Sequence, residues 1–120
     1  VVYIDPKVGT SGKHVAQVLS QLGIAEEINR KAKLGSGGYI VEPVGRGEIE
    51  LGIHQISEIL PVKGVKLVGP LPAELQKYTV YVAAPTAKTA RKATVDAFIA
   101  HLTGPEAGGR LDKAGYTAPE

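Results

Sequence analysis

The feature that most constrains this fold is a change of apolar period near the N-terminus. Val1 to Ile4 (VVYI) is a short run of β-favouring residues. Beyond the turn DPKVGTSGKH, the apolar residues Val15, Val18, Leu19 and Leu22 fall at i, i+3, i+4 and i+7, which is one stripe of an amphipathic helix. Gly23 is placed to end that helix in the left-handed conformation. A strand that runs through a glycine-rich turn into an amphipathic helix is the opening unit of an α/β layer.

The pattern continues along the chain. Ala25 to Ala32 (AEEINRKA) reads as a short helix, with its acids first and its bases last as the helix dipole prefers. Leu34 opens a loop with GSGG, and Tyr39 to Gly45 reads as a short or kinked helix because Pro43 would remove a hydrogen bond from a helix interior. Glu48 to His54 alternates Ile49, Leu51 and Ile53, the pattern of a strand with one buried face. Gln55 to Leu60 is a helical turn stopped by Pro61. Val65 to Val68 and Tyr78 to Ala83 are two further expected strands, separated by the Pro-rich turn GPLPAEL. Thr89 to Leu102 carries the stripe Val95, Phe98, Ile99 and Leu102. Thr103 is an expected cap for a last helix that has Pro105 near its first position. The fold class is therefore α/β: a mixed, mostly parallel sheet flanked by helices, with a C-terminal helical arm. A compositional break near Ala84-Pro85 divides the chain into residues 1–84 and 85–120.

Composition narrows the function classes. The chain has 120 residues, enough for one small domain with a real core. Its net charge of +2, with no basic cluster longer than Arg91-Lys92, gives no case for a nucleic-acid partner. The absence of cysteine removes disulfides, thiolate catalysis and Cys-type zinc sites. No apolar run is long enough to span a bilayer. The chain starts inside an apolar run without Met, so it reads as a processed chain or a fragment. His14, His54 and His101 show no metal-ligand spacing, and neither a metal nor a cofactor is expected.

The turn DPKVGTSGKH carries the first candidate site. A nucleotide P-loop fails on spacing, because Gly9 stands only three residues before Gly12 and His14 occupies the place of the magnesium-binding hydroxyl. Two readings stay open. One is an anion cradle, in which free N–H groups of the helix start and the hydroxyls of Thr10 and Ser11 converge around Gly9 and Gly12. The other is a plain helix cap by Thr10 or Ser11. A nucleophile formed by Ser11 with His14 and Asp5 is disfavoured by the lack of a G-x-S-x-G elbow, and no catalysis is expected. Ser36-Gly37-Gly38-Tyr39 is a second glycine-rich helix entry, either a ligand loop with the Tyr39 hydroxyl or a flexible turn. His54-Gln55 ends a strand, where ligands bind in open α/β sheets. In a parallel layer these three exits would share one edge, and together they say more than each does alone.

The order of segments, D-P-x-x-G-T-S-G, L-G-I-A, K-A-K-L, G-R-G-E-I-E-L-G-I-H-Q-I-S-E-I-L-P and G-V-K-L-V-G-P-L-P-A-E-L-Q, resembles the substrate-binding proteins of bacterial ABC transporters. Among these it is similar to the molybdate-binding-like family with the type 2 periplasmic-binding fold. The likeness extends to the late T-G-P-E-A helix start. The resemblance implies a periplasmic, two-lobed protein that closes on a small ligand, an oxyanion or a small carboxylate-bearing solute, and that partners ABC membrane subunits. It maps the ligand site to Gly9, Thr10, Ser11 and Gly12, with a second loop at Gly37 and Gly38. Gln55 stands where molybdate binders of the family carry a tyrosine, a departure that counts against molybdate itself. The resemblance also implies that this chain holds the second lobe, and that residues 85–120 pack on a first lobe it does not contain. Val95, Phe98, Ile99 and Leu102 would then drive self-association. The alternative reading is an effector-sensing domain of a transcriptional regulator with the same fold.

Overall fold

In the computed structural model the described residues are 1–118, so the last two positions of the expected arm lie outside them. Two compact units form, Val1–Lys77 and a second that begins at Tyr78. The first unit holds strand β1 (Val2–Ile4), helices α1 (Thr10–Gln21) and α2 (Ala25–Lys31), strand β2 (Lys33–Gly35), helix α3 (Glu42–Gly45), strand β3 (Gly52–Ile53) and helix α4 (Ile56–Ile59). The second holds α5 (Lys92–Thr103) and α6 (Pro105–Lys113).

The three strands form a parallel sheet in the order β2-β1-β3. Tyr3 lies opposite Leu34 on one side and Ile53 on the other. Central position explains why all of β1 is buried. Its Tyr3 packs with Val15 and Leu19 of α1, and Ala25, Ile28, Ala32 and Ile53 close around that cluster. The Tyr3 hydroxyl leaves this apolar packing only to donate to Asn29 Oδ1, 2.6 Å away on α2. Of the expected α1 stripe, Val15, Val18 and Leu19 are buried, whereas Leu22 sits at the exposed C-terminal cap. Gly23 ends the helix at φ +70°, as its position predicted.

Gly12 sets how closely α1 approaches the sheet. A Cβ built there would stand 2.2 Å from the Ile4 carbonyl oxygen, so only glycine lets the helix lie against the end of β1.

Several expectations are corrected. Thr10 and Ser11 do not cap α1. The cap is Gly9 in extended backbone, Thr10 and Ser11 occupy the first helical positions, and no side chain makes a capping bond. The expected loop at Leu34 is strand β2, because pairing with the central β1 overrides a local composition with little β character. The strand expected over Glu48–His54 shrinks to Gly52–Ile53. The amides of Glu48 and Ile49 turn back to the Pro43 carbonyl at 2.9 and 3.3 Å instead of entering a ladder. The alternation fails with it: Ile49 is buried but Leu51 is 47% exposed. Pro43 does not kink a helix. It stands in the first turn of α3, where an amide hydrogen is not needed. Among the described residues neither Val65–Val68 nor Tyr78–Ala83 pairs as a strand. Their β-branched and aromatic residues suit a pleated surface, but a ladder needs a partner. Thr103 does not cap α6. Its hydroxyl donates back to the Ile99 carbonyl at 3.0 Å, and Gly104 takes the cap position.

In the second unit α5 meets α6, Ala107 is buried, and Tyr81 and Tyr116 form an edge-to-face pair with ring centroids 5.7 Å apart. Val95 and Ile99 are half-buried, and Phe98 is 61% exposed. Among the described residues no helix is long and apolar enough to cross a membrane.

Candidate functional site at the carboxyl edge of the sheet

Because the strands are parallel, their carboxyl ends point to the same edge. Three connections leave from it: residues 5–9 into α1, residues 36–41 into α3, and residues 54–55 into α4. Every residue predicted for the site lies in these connections or in the first turn that follows them.

The first connection is held by Asp5. Its amide donates to the Gly35 carbonyl at 2.8 Å, which ties β1's exit to that of β2. Its carboxylate accepts the Lys7 amide at 2.8 Å, and its carbonyl accepts from Val8 and Gly9 at 3.0 and 3.2 Å. This compact turn delivers Gly9 and starts α1. The Lys13 amide donates to the Gly9 carbonyl at 3.1 Å, so the amides of Thr10, Ser11 and Gly12 belong to the open N-terminal end of the helix. Thr10 is exposed and Ser11 half-buried, and neither hydroxyl is spent on a cap. This end of α1 presents hydrogen-bond donors and the positive end of a 12-residue helix. Sequence reasoning weighed Asp5 only as a triad member and missed its turn-building role. An Asp-Pro pair ahead of a glycine was the available signal.

The second connection contains Gly37 and Gly38 at φ +138° and +68°, conformations that disfavour any side chain. The Gly38 carbonyl accepts from the Ile40 amide at 2.8 Å, and the Tyr39 carbonyl accepts from Glu42 at 3.0 Å. Tyr39 itself is exposed. In the third connection His54 Nε2 donates to the Gly38 carbonyl at 3.2 Å, bringing two predicted site residues into direct contact. His54 Nδ1 is buried without a hydrogen-bond partner among the described residues. Gln55 caps α4 through its backbone, its carbonyl accepting from Glu58 and Ile59 at 3.0 and 3.2 Å.

His14 does not join this edge. Its Nε2 lies 2.8 Å from the Leu75 carbonyl oxygen, and it borders an open groove of about 620 Å³ with Gln17, Gln21, Glu74 and Gln76. Gln76 in turn accepts the Leu71 amide at 3.0 Å and folds the Pro-rich turn onto itself. Among the described residues no group of three or more His, Asp or Glu side chains is arranged to hold a metal ion.

Comparison with known proteins gives a consistent picture. A family model described as "Bacterial extracellular solute-binding protein" matches residues 1–117. An aconitate isomerase from Pseudomonas sp is 28% identical over 116 residues, covering 96% of this chain and 43% of that protein. The molybdate-binding protein ModA of Escherichia coli (strain K12) is 31% identical over 114 residues, covering 94% of this chain and 44% of that protein. The chain thus spans less than half the length of these two relatives. No solved structure gives a significant match.

Proposed function

We propose a function that proceeds from family membership: this chain belongs to the bacterial extracellular solute-binding proteins. In this reading residues 1–84 form one ligand-binding lobe of a two-lobed protein, and residues 85–120 are an arm that packs on the other lobe. The lobe captures a small oxyanion or carboxylate-bearing solute in the periplasm and delivers it to the membrane subunits of an ABC importer. Thr10 and Ser11 donate hydroxyl bonds, the backbone around Gly12 donates N–H bonds, and Gln55 orients the ligand. The Gly37–Gly38 loop with Tyr39 forms the second wall.

The observation that carries this reading is the convergence of the described strand exits on one edge, with the exit of central β1 ending in a helix start whose hydroxyls make no capping bond and whose first amides lack backbone acceptors among the described residues. Such a site binds negative charge through hydrogen bonds without a cation. The relative named for molybdate binding supports the oxyanion class, and the relative named for aconitate supports the carboxylate class. Binding without chemistry is supported by the two acid–base candidates at this edge. Asp5 engages the Lys7 amide and His54 the Gly38 carbonyl. The exposed Phe98 supports self-association through Val95, Phe98, Ile99 and Leu102 when α5 lacks another cover.

Isothermal titration of the intact protein with molybdate, tungstate, phosphate and sulfate, and separately with aconitate and citrate, tests the reading. One class should bind, and joint replacement of Thr10 and Ser11 by Ala should weaken it on the order of tenfold or more. Binding by neither class overturns the proposal.

A further inference from the structure

The sequence places His54 among the ligand-contacting residues, but in the structure both nitrogens of the half-buried ring are engaged or shielded by the protein. Nε2 donates to Gly38, 16 residues away, in an exposed bond, and Nδ1 is buried. The far end of the loop it touches is anchored by the buried Val41, but the two glycines have little else beside them. Cβ atoms built at Gly37 and Gly38 would meet nothing within 4 Å, so no neighbour packs against these positions. The other bond to the Gly38 carbonyl comes from Ile40, two residues along the same loop, and fixes local shape without tying the loop to the sheet. His54, by contrast, directly follows strand β3, which pairs with the central strand.

We infer that His54 is a positioning residue: its Nε2–H latches the Gly37–Gly38 loop to the sheet edge and so sets the second wall of the ligand site. The inference deepens the proposed solute-binding reading, because the latched loop is the wall that reading assigns to the ligand. A glycine pair at positive φ samples many conformations when free. One hydrogen bond to a rigid strand end removes part of that freedom before the ligand arrives, which lowers the ordering cost of binding.

The chemistry of the ring supplies the test. A glutamine amide nitrogen reaches about as far as Nε2, whereas an asparagine amide reaches only as far as Nδ1. His54→Gln should keep the latch and His54→Asn should lose it. In the intact protein without ligand, amide exchange at Ile40, whose N–H donates to the latched Gly38 carbonyl, should accelerate about three- to tenfold in His54→Asn, the worth of one neutral hydrogen bond, and stay near wild type in His54→Gln. Titration with molybdate and with aconitate should show a matching loss of affinity in His54→Asn alone. The exchange readout needs no ligand, so it stands even when neither probe binds the wild-type protein, a result that would count against the solute-binding reading instead. Unchanged exchange in His54→Asn overturns the latch. Equal acceleration in both variants also overturns it, because the ring's bulk would then matter and not Nε2. Loss of probe binding in His54→Gln with the loop still protected overturns the positioning role by making His54 a direct ligand contact.

Discussion

Two stretches of nearly the same composition meet opposite fates in this chain. Val2-Tyr3-Ile4 forms the buried centre of a parallel sheet, with Tyr3 only 2% exposed. Val80-Tyr81-Val82 joins no strand ladder among the described residues, and its Val80 and Tyr81 are 72% and 64% exposed. The helices repeat the contrast. Both α1 and α5 are 12 residues long with an apolar stripe, yet the stripe of α1 is covered by Tyr3 while Phe98 of α5 faces outward. The difference teaches that local pattern specifies what a segment is fit to do. Whether it does so depends on a partner supplied from elsewhere. In the first unit the partners of β1 lie about 30 and 50 residues along the same chain, at Lys33–Gly35 and Gly52–Ile53.

The sharpest way to break this comparison is to truncate equivalent stripe residues. Leu19→Ala opens a cavity in the cluster with Tyr3 and Val15, and should destabilise the first unit by about 2–5 kcal/mol. Phe98→Ala removes an exposed ring and should cost less than about 0.5 kcal/mol. Two units need not melt together, so residue-resolved hydrogen exchange is the appropriate measurement. A large loss of protection from Phe98→Ala would show that α5 is covered in solution, and would support self-association.

Glycines sharpen the same contrast with a smaller effect. Gly12→Ala thrusts a methyl group at the Ile4 carbonyl oxygen, a backbone atom that cannot step aside, and should destabilise the first unit by about 1–3 kcal/mol. Gly108→Ala in α6 meets nothing within 4 Å and should stabilise that helix by about 1 kcal/mol. Opposite signs for one chemical change would confirm that packing, not helix propensity, decides the outcome at Gly12. A neutral Gly12→Ala would mean that α1 does not press on β1.

Where the sequence was legible, the information was local. The α1 stripe, the Gly23 stop and the reversal of charge along α2 could all be read from neighbouring residues. Their strength comes from the helical period and the helix dipole, which act within a few residues. The convergence of three exits on one edge was legible too, because alternating strands and helices impose it. The illegible parts all depend on distant pairing. Lys33-Leu34-Gly35 has little β character and becomes a strand because β1 is beside it. Tyr78–Ala83 has strong β character and is not paired as a strand among the described residues. The bond between His54 and Gly38 joins two connections that only the sheet brings together. Thr10 and Ser11 show a subtler limit. Several residues in Gly9-Thr10-Ser11-Gly12 could cap a helix, and the close approach at Gly12 accompanies a helix that starts too early for either hydroxyl to do so, with Gly9 taking the cap.

The smallest effect concerns surface charge, and it asks whether α2 draws its order from the core or from its ion pairs. Glu27 accepts a hydrogen bond from Lys31 Nζ at 2.8 Å, and that bond, reinforced by the lysine's charge, holds its carboxyl below the usual glutamate range. A lowered folded value means that the pair's contribution is complete above the titration range of an unfolded glutamate, and is lost as pH falls through the lowered folded range. Both side chains are exposed, so the contribution is small and screened by salt. Hydrogen exchange across α2 should therefore show a slight acid-side loss of protection in the wild type at low salt, and Lys31→Gln should flatten that limb. Arg110→Gln, which breaks the exposed pair with Glu106 on α6, provides the counterpart in the second unit. Because Ile28 and Ala32 anchor the α2 region to the core while α6 buries only Ala107, the same kind of loss should be harder to detect in α2 than in α6. A larger effect in α2 would mean that its ion pairs, and not its seat on Tyr3 and Leu19, maintain the helix.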